Sequence, residues 1–335
     1  MKKYEITSET HPTRSTCKRI LSLRGFSGIK KGELGGFIES EDNLSHEGDC
    51  WVSENAVVYG DTAQVSGNAQ VTGNASVSGT AQVTGNAVVS ENASVYGNPK
   101  VTGNASVSGT AKVTGWAVVY ENAKVSGNAK ATGNALVAGN AKVYENAKVT
   151  GNAAVSGNAQ VSGYAQVSGT AWVSENAWVL GAARASENAW VLGNAWVLGS
   201  AKVYGTAWVL GTASVTGNAK VLGNAKVSGN AEVSGNATVY GNAAVSGKNA
   251  TVYGYAQVYG DAAVSGNAQV SENAVVYGNA RVSENAAVYE NARVSENAWV
   301  LGNAVVYGTT EVSGNARPSE GAVTHSINSL DTRSI

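Results

Sequence analysis

The stretch that decides the fold is Ala219–Asn236, which reads AKVLGN, AKVSGN, AEVSGN. It writes one six-residue unit three times, and most of the sequence from 63 to 315 follows the same pattern, Ala-x-Val-x-Gly-Asn. In Ala-x-Val the first and third side chains share one face and the middle one points the other way, as in a β-strand. Gly and Asn tolerate positive φ, so the pair predicts a bend. A short strand and a bend every six residues give a polygonal coil, which buries its apolar face only by stacking on copies of itself.

The run Val-x-Gly-Asn-Ala-x resembles the hexapeptide repeat of left-handed parallel β-helices, in which three hexads make one triangular coil. The left hand is implied by this resemblance alone, because the general rule for parallel crossovers favours right-handed connections. We therefore expect an all-β protein, a left-handed parallel β-helix. It would be a triangular solenoid of about 15 coils with a small N-terminal cap.

Three segments are expected along the chain: an N-terminal capping segment over 1–49, the repeats over 50–321, and a C-terminal cap or tail over 322–335. A cap is needed because the first coil would otherwise expose an unpaired strand edge. Residues 3–7 and 19–23 are the predicted strands of the N-terminal cap. The stretch 28–60, GIKKGELGGFIESEDNLSHEGDCWVSENAVVYG, resembles the N-terminal region of the bacterial YdcK-like repeat proteins. That resemblance implies a β-helix with an acetyltransferase label that rests on fold, and fold alone does not determine function.

Charge and composition restrict the partners. Lys and Arg number 23 against 24 Asp and Glu, a net charge of −1, which argues against bulk electrostatic binding to nucleic acid or an anionic membrane. No apolar run is long enough to span a bilayer, and the start lacks a secretory signal pattern. We expect a cytoplasmic bacterial protein in which Cys17 and Cys50 are free thiols, although the sequence alone leaves open whether they pair.

Outward tryptophans are the least expected feature of the repeats. Residues 18 apart should lie above one another, so the tryptophans form two outward columns with leucines at the neighbouring bends. Five tryptophans make a patch that monomers rarely expose, which favours contact with a second copy or a protein partner. A self-stacked aromatic ladder and a sugar-stacking platform are the alternatives. The residues concerned are Trp172, Trp178, Trp190, Trp196, Trp208, Leu180, Leu192, Leu198 and Leu210.

A second outward column is basic and reads Lys112, Lys130, Lys148, Gln166, Arg184, Lys202, Lys220. With steps of ~4.8 Å, the phosphates of a polyanion could follow it. The alternative is a solvated face that resists aggregation.

Histidines decide the enzyme hypothesis. Hexapeptide-repeat acyltransferases, which this chain resembles in fold, use a histidine as general base with acyl-CoA in a groove between subunits. Here His11, His46 and His325 all lie outside the regular repeat, so His46, within the resembling stretch, is only a weak catalytic candidate. No coil carries histidines for a metal site, and we expect neither metal nor cofactor. The sequence therefore favours a non-catalytic scaffold or binding protein. An acyltransferase that uses acetyl-CoA is the alternative.

Overall fold

The computed structural model describes residues 2–60, 62–323 and 325–327. The chain divides into two compact units, 1–164 and 165–335, which are called unit 1 and unit 2 below. Most of the predicted C-terminal tail, 324 and 328–335, lies outside the described residues.

Unit 1 begins with an antiparallel hairpin of strands β1 (Tyr4–His11) and β2 (Arg14–Ser22). Strand β2 pairs antiparallel with β3 (Leu34–Ile38), which pairs parallel with Val57–Tyr59 of the repeats. A 3-10 helix at Glu41–Asn43 follows, and Leu44 bridges Val65 in parallel. The first parallel turn therefore starts at β3, before residue 50, where the predicted repeats begin. Among the described strands, antiparallel pairing is confined to β1 with β2 and β2 with β3.

The repeats of unit 1 form three parallel sheets whose strands are mostly two residues long. The strands of sheet 1A are β3, Val57–Tyr59, Ser76–Gly79, Ser94–Gly97, Lys112–Gly115, Lys130–Ala131 and Lys148–Val149. The strands of sheet 1B are Gln64–Val65, Gln82–Val83, Lys100–Val101, Val118–Val119, Leu136–Val137 and Ala154–Val155. The strands of sheet 1C are Trp51–Val52, Gln70–Val71, Val88–Val89, Ser106–Val107, Lys124–Val125, Lys142–Val143 and Gln160–Val161.

Unit 2 has the same three-sheet plan. The strands of sheet 2A are Gln166–Val167, Arg184–Ala185, Lys202–Val203, Lys220–Val221, Thr238–Val239, Gln257–Val258, Val275–Val276, Arg293–Val294 and Glu311–Val312. The strands of sheet 2B are Trp172–Val173, Trp190–Val191, Trp208–Val209, Lys226–Gly229, Ala244–Gly247, Ala263–Val264, Arg281–Val282 and Trp299–Val300. The strands of sheet 2C are Trp178–Val179, Trp196–Val197, Ser214–Val215, Glu232–Val233, Thr251–Val252, Gln269–Val270, Ala287–Val288, Val305–Val306 and Ala322–Val323.

The predicted fold class is confirmed, because each unit is a parallel β-solenoid with three-sided turns. Turns stack with partners 18 residues apart, as Trp190 pairs with Trp208. The described residues make about 16 turns, one more than the 15 coils predicted from the repeats. The additional turn fits the early start at β3. The left hand stays a prediction.

The core of each unit is filled by stacked small apolar side chains. Nearly every Ala and Val of the Ala-x-Val strands is fully buried, while the middle residue lies outside. Larger buried side chains lie at the start of unit 1, among them Tyr4 of the hairpin, Phe37 of β3 and Trp51. The amphipathic alternation of the hexad therefore positions all chemical variety on the outward column of each sheet and on the bends.

The bends follow the predicted chemistry, with one addition. Bend glycines have positive φ, and corner asparagines are hydrogen-bonded from turn to turn, for example from Asn104 Nδ2 to Asn122 Oδ1 at 3.0 Å. In the Glu-Asn copies a glutamate takes the glycine position at φ near 60°, as at Glu145 and Glu290. The Oε2 atoms of these two glutamates accept the backbone N–H of the next turn at 2.6 and 2.8 Å, which offsets part of the left-handed strain.

Candidate functional site

The two tryptophan columns lie on adjacent sheets of unit 2. Sheet 2B carries Trp172, Trp190 and Trp208 in register, and sheet 2C carries Trp178 and Trp196. The sequence placed these residues at the middle position of their strands, which the alternation directs outward. The structure brings them together as predicted from the 18-residue spacing.

The indole rings contact one another along each column. Trp178 and Trp196 are stacked with centroids 5.2 Å apart and planes 4° apart, and Trp190 and Trp208 are stacked at 5.2 Å and 5°. Trp172 meets Trp190 edge to face at 5.3 Å. Stacking covers one face of Trp178, Trp196 and Trp208. A sugar platform needs free ring faces, so stacking reduces the surface available to it.

Considerable aromatic surface stays exposed despite this stacking. Trp172, Trp196 and Trp208 are 41%, 44% and 39% exposed. The bend leucines Leu180, Leu192, Leu198 and Leu210 are half-buried between and beside the columns. Together these nine side chains, the five tryptophans and four leucines, form the tryptophan face.

Basic side chains border this face on sheet 2A. Arg184, Lys202 and Lys220 are in register there, and a shallow depression lies against Lys202 and Lys220, lined also by Ser200, Asn218 and Asn236. Lys226 continues the column of Trp208, with its Nζ 5.8 Å from that ring's centroid. Unit 2 therefore combines an apolar face with a short basic column next to it.

Unit 1 holds the other half of the predicted basic column. Lys112, Lys130 and Lys148 are in register on sheet 1A, and all three side chains are exposed. Lys124 and Lys142 form a second register pair on sheet 1C. Sequence analysis treated the first column alone and did not join it to the second.

His46 is built into the base of unit 1. Its ring stacks on Tyr4 at 4.3 Å, and its Nδ1 accepts the backbone N–H of Lys3 at 3.2 Å. Its Nε2 is buried, 3.8 Å from Glu41 Oε2, and makes no hydrogen bond among the described residues. One ring nitrogen is thus occupied by the backbone and the other is shielded, which is the arrangement of a packing residue.

The other two histidines are separated from His46. His11 ends β1 and packs edge-on against Phe37 at 4.8 Å, and burial, followed by Arg14 and Arg19, lowers its pKa. His325 is exposed near the C-terminal end of the described chain. Within the described residues, no group of three or more His, Cys, Asp or Glu side chains could hold a metal ion.

A buried lysine is the polar group that sequence analysis missed. The Lys3 side chain is fully buried, and its Nζ donates to the carbonyl of Cys50 at 2.8 Å and lies 3.1 Å from Cys50 Sγ. Both cysteines are free and buried, and burial raises the pKa of the Cys17 thiol. No periodic signal marks Lys3, because it lies before the repeats.

Stacked three-sided turns with an Ala/Val core and Gly-Asn bends define a parallel β-solenoid repeat protein. The family described as the YdcK Beta solenoid repeat matches at residues 63–79, 231–247 and 256–272, so the resemblance drawn from the sequence is confirmed at these repeats. No curated protein matches the chain. In the described part of the chain, no helix has the length and apolar character needed to cross a bilayer.

Proposed function

We propose that this protein is a non-catalytic solenoid scaffold that self-associates through the tryptophan face of unit 2. The observation that carries the proposal is the exposure of about 40% that Trp172, Trp196 and Trp208 retain after stacking on their neighbours. Exposed aromatic clusters of this kind are enriched at protein contacts, where tryptophan is among the commonest energetic hot spots.

A second copy of the chain is the simplest occupant. In a two-fold contact the same face meets itself, so a single apolar patch satisfies both partners without a separate complementary surface. Indole edges from one copy can fill the spaces beside the half-buried leucines of the other. Arg184 and Lys202, beside the face, would lie at the solvated rim of such a contact, where charged side chains are common.

The experiment compares the solution mass of the wild-type chain with that of a triple variant, W172S/W196S/W208S. Serine already occupies the outward position of other strands, such as Ser214, so the turns should stay intact. Hot-spot truncations cost about 2 kcal/mol or more each, so each effective tryptophan should raise the dissociation constant about 30-fold. Light scattering over a concentration series should show an oligomer for the wild type and a monomer for the variant.

A matched control removes tryptophans outside the face. Trp299 lies on sheet 2B, with its ring centroid 5.0 Å from Arg281 Cζ and 4.4 Å from Arg317 Cζ. Trp116 in unit 1 is 66% exposed. The W116S/W299S variant should keep the wild-type mass. A wild-type chain that is monomeric at all concentrations, or a triple variant that associates as the wild type does, would refute self-association. Circular dichroism verifies the β-structure of each variant.

The proposal includes no step that depends on acyl-CoA. The environment of His46, stacked on Tyr4 and accepting a backbone N–H, supports a packing role. A ligand that binds the native state raises the melting temperature. Because we expect no binding of acetyl-CoA, the melting temperature should be unchanged at millimolar acetyl-CoA. A concentration-dependent rise that is lost in H46A would favour the acyltransferase alternative instead.

A further inference from the structure

A ridge of lysines runs along one corner of unit 1. The chain passes from sheet 1C to sheet 1A at this corner, so Lys124 and Lys142 lie on one side of it and Lys112, Lys130 and Lys148 on the other. These five side chains are all exposed and are called the lysine corner. None of the five forms a salt bridge among the described residues.

The bends between the two columns offer little negative charge. Thr110, Asn128 and Asn146 are linked from turn to turn by side-chain hydrogen bonds, with Asn128 Nδ2 3.0 Å from Asn146 Oδ1. Between Lys112 and Lys148 the carboxylate at this corner is Glu145, and its Oε2 accepts the N–H of Gly163 at 2.6 Å. Glu91 lies at the same corner one turn before the bend of Thr110. The ridge is therefore an uncharged amide ladder flanked by two cationic columns, with one carboxylate directed to the backbone.

Like charges in adjacent turns destabilise a sheet, and no salt bridge among the described residues offsets the cost here. Directly paired like charges are unfavourable, and lysines in neighbouring turns are only ~4.8 Å apart along the stack. Neutral residues suit the same positions, since Ser76 and Ser94 precede the lysines on sheet 1A and Ser106 precedes them on sheet 1C. The concentration of five lysines between 112 and 148 therefore indicates a ligand that neutralises them.

We infer that the lysine corner binds a linear polyanion that carries no bases, of the inorganic polyphosphate class. A chain lying along the corner reaches ammonium groups from both columns at two successive turns and that of Lys112 at the turn before, which a compact anion does not. Readers of single-stranded nucleic acid interleave aromatic side chains with their cations so that bases stack. The outward positions of these two columns between 94 and 160 are Ser, Lys and Gln. The aromatic side chain in the bends between the columns is Tyr144, which is half-buried and donates its hydroxyl to Gln160 Oε1 at 3.3 Å.

The test measures the anisotropy of end-labelled polyphosphate between 50 and 200 mM salt. Each neutralised phosphate of a flexible single strand contributes about −0.7 to the slope of log K against log salt, so five contacts predict a slope of roughly −3.5. The K124S/K130S/K142S/K148S variant should bind at least tenfold more weakly at about 50 mM salt, with a slope reduced to about −0.7. Lysine-to-arginine changes at the same four positions should retain binding, because they keep the charge.

The matched control, R184S/K202S/K220S/K226S, removes four cations from unit 2 and should bind within twofold of the wild type. An equal loss in that control would assign binding to bulk charge and overturn the inference. So would no binding by the wild type, or tighter binding of a single-stranded oligonucleotide of equal charge. Circular dichroism identifies misfolded variants, and lysine-to-glutamine changes at the four corner positions then replace the serine set. The corner variants change no residue of the tryptophan face or of its rim, so loss of polyphosphate binding in them and loss of self-association are distinguishable.

Discussion

Ala185 occupies a position of the core of unit 2 at which the neighbouring turns carry valine, and enlarging it to valine should stabilise the protein. The corresponding inward residue is valine in the strands on either side, Val167 and Val203, and all three side chains are fully buried. The backbone register continues unbroken through Ala185. The substitution Ala185→Val therefore places two extra carbon atoms at the position in its own turn that corresponds to those of Val167 and Val203 in theirs.

The expected gain follows from the area removed from water. Each buried methylene contributes about 0.8 kcal/mol, so the two carbons of Ala185→Val should contribute about 1.6 kcal/mol, reduced slightly by the fixed χ1 of valine. The reverse change, Val203→Ala, loses the same transfer energy and leaves a cavity, and it should destabilise by about 2–3 kcal/mol. The two substitutions should therefore act in opposite directions on the same stack.

Hydrogen exchange is the suitable assay, because a repeat array need not unfold in one step. The backbone N–H of Arg184 donates to the carbonyl of Ala201 at 2.9 Å, and that of Ser186 donates to Val203 at 3.0 Å. A local gain of about 1.5 kcal/mol should slow exchange of these amides roughly tenfold. Faster exchange and a lower melting temperature for Ala185→Val would refute the reasoning, because they would show that the turn has closed around alanine and is overpacked.

Three further substitutions test the bends and the cap. Gly193→Ala should cost about 1–2 kcal/mol in thermal unfolding, because the bend has a φ of 77° and the added carbon would lie 2.7 Å from the backbone of the next turn. Asn122→Ala removes both hydrogen bonds that this residue makes in its corner ladder and should lower stability by about 0.5–1 kcal/mol, measured by denaturant titration. The pKa of Glu39 lies below its ordinary 4.5, chiefly because the carboxylate accepts the N–H of Gly60 at 2.7 Å. Its stabilisation is therefore complete above that ordinary value and is lost as the pH falls through the lowered pKa. Glu39→Gln should flatten the acid side of the stability profile.

The repeats could be predicted because every structural signal in them recurs at the same spacing. Alternation defines the inward face, Gly-Asn defines the bend, and the period of 18 places Trp172 over Trp190 without knowledge of tertiary contacts. The cation–π contacts of Trp299 with Arg281 and Arg317 follow from the same arithmetic. A strict period thus makes long-range contacts readable from sequence.

The features that sequence did not predict lie outside the repeats or at single substitutions within the hexad. Strand β3 belongs to the first parallel turn, yet Leu34–Ile38 has no Ala-x-Val pattern to reveal it. Glutamates at left-handed bends were overlooked, although the Ser-Glu-Asn and Tyr-Glu-Asn copies mark them. The orientation of the indole rings was also beyond reach, because spacing places side chains on a column without specifying their rotamers.

The outward columns differ in what holds them together, and this difference bears on function. Stacked tryptophans stabilise one another, at about 0.5–1.5 kcal/mol for an aromatic pair, so the column of Trp178 and Trp196 has a reason to exist without any partner. Only the exposed part of this column, including 44% of Trp196, favours a contact. Lysines at the same spacing gain nothing from their neighbours, so we expect the column of Lys112, Lys130 and Lys148 to cost stability unless an anion neutralises it. In a solenoid whose core is uniform, a destabilising outward column is therefore a stronger indication of a ligand than a self-stabilising one, and the lysine corner should be tested alongside the tryptophan face.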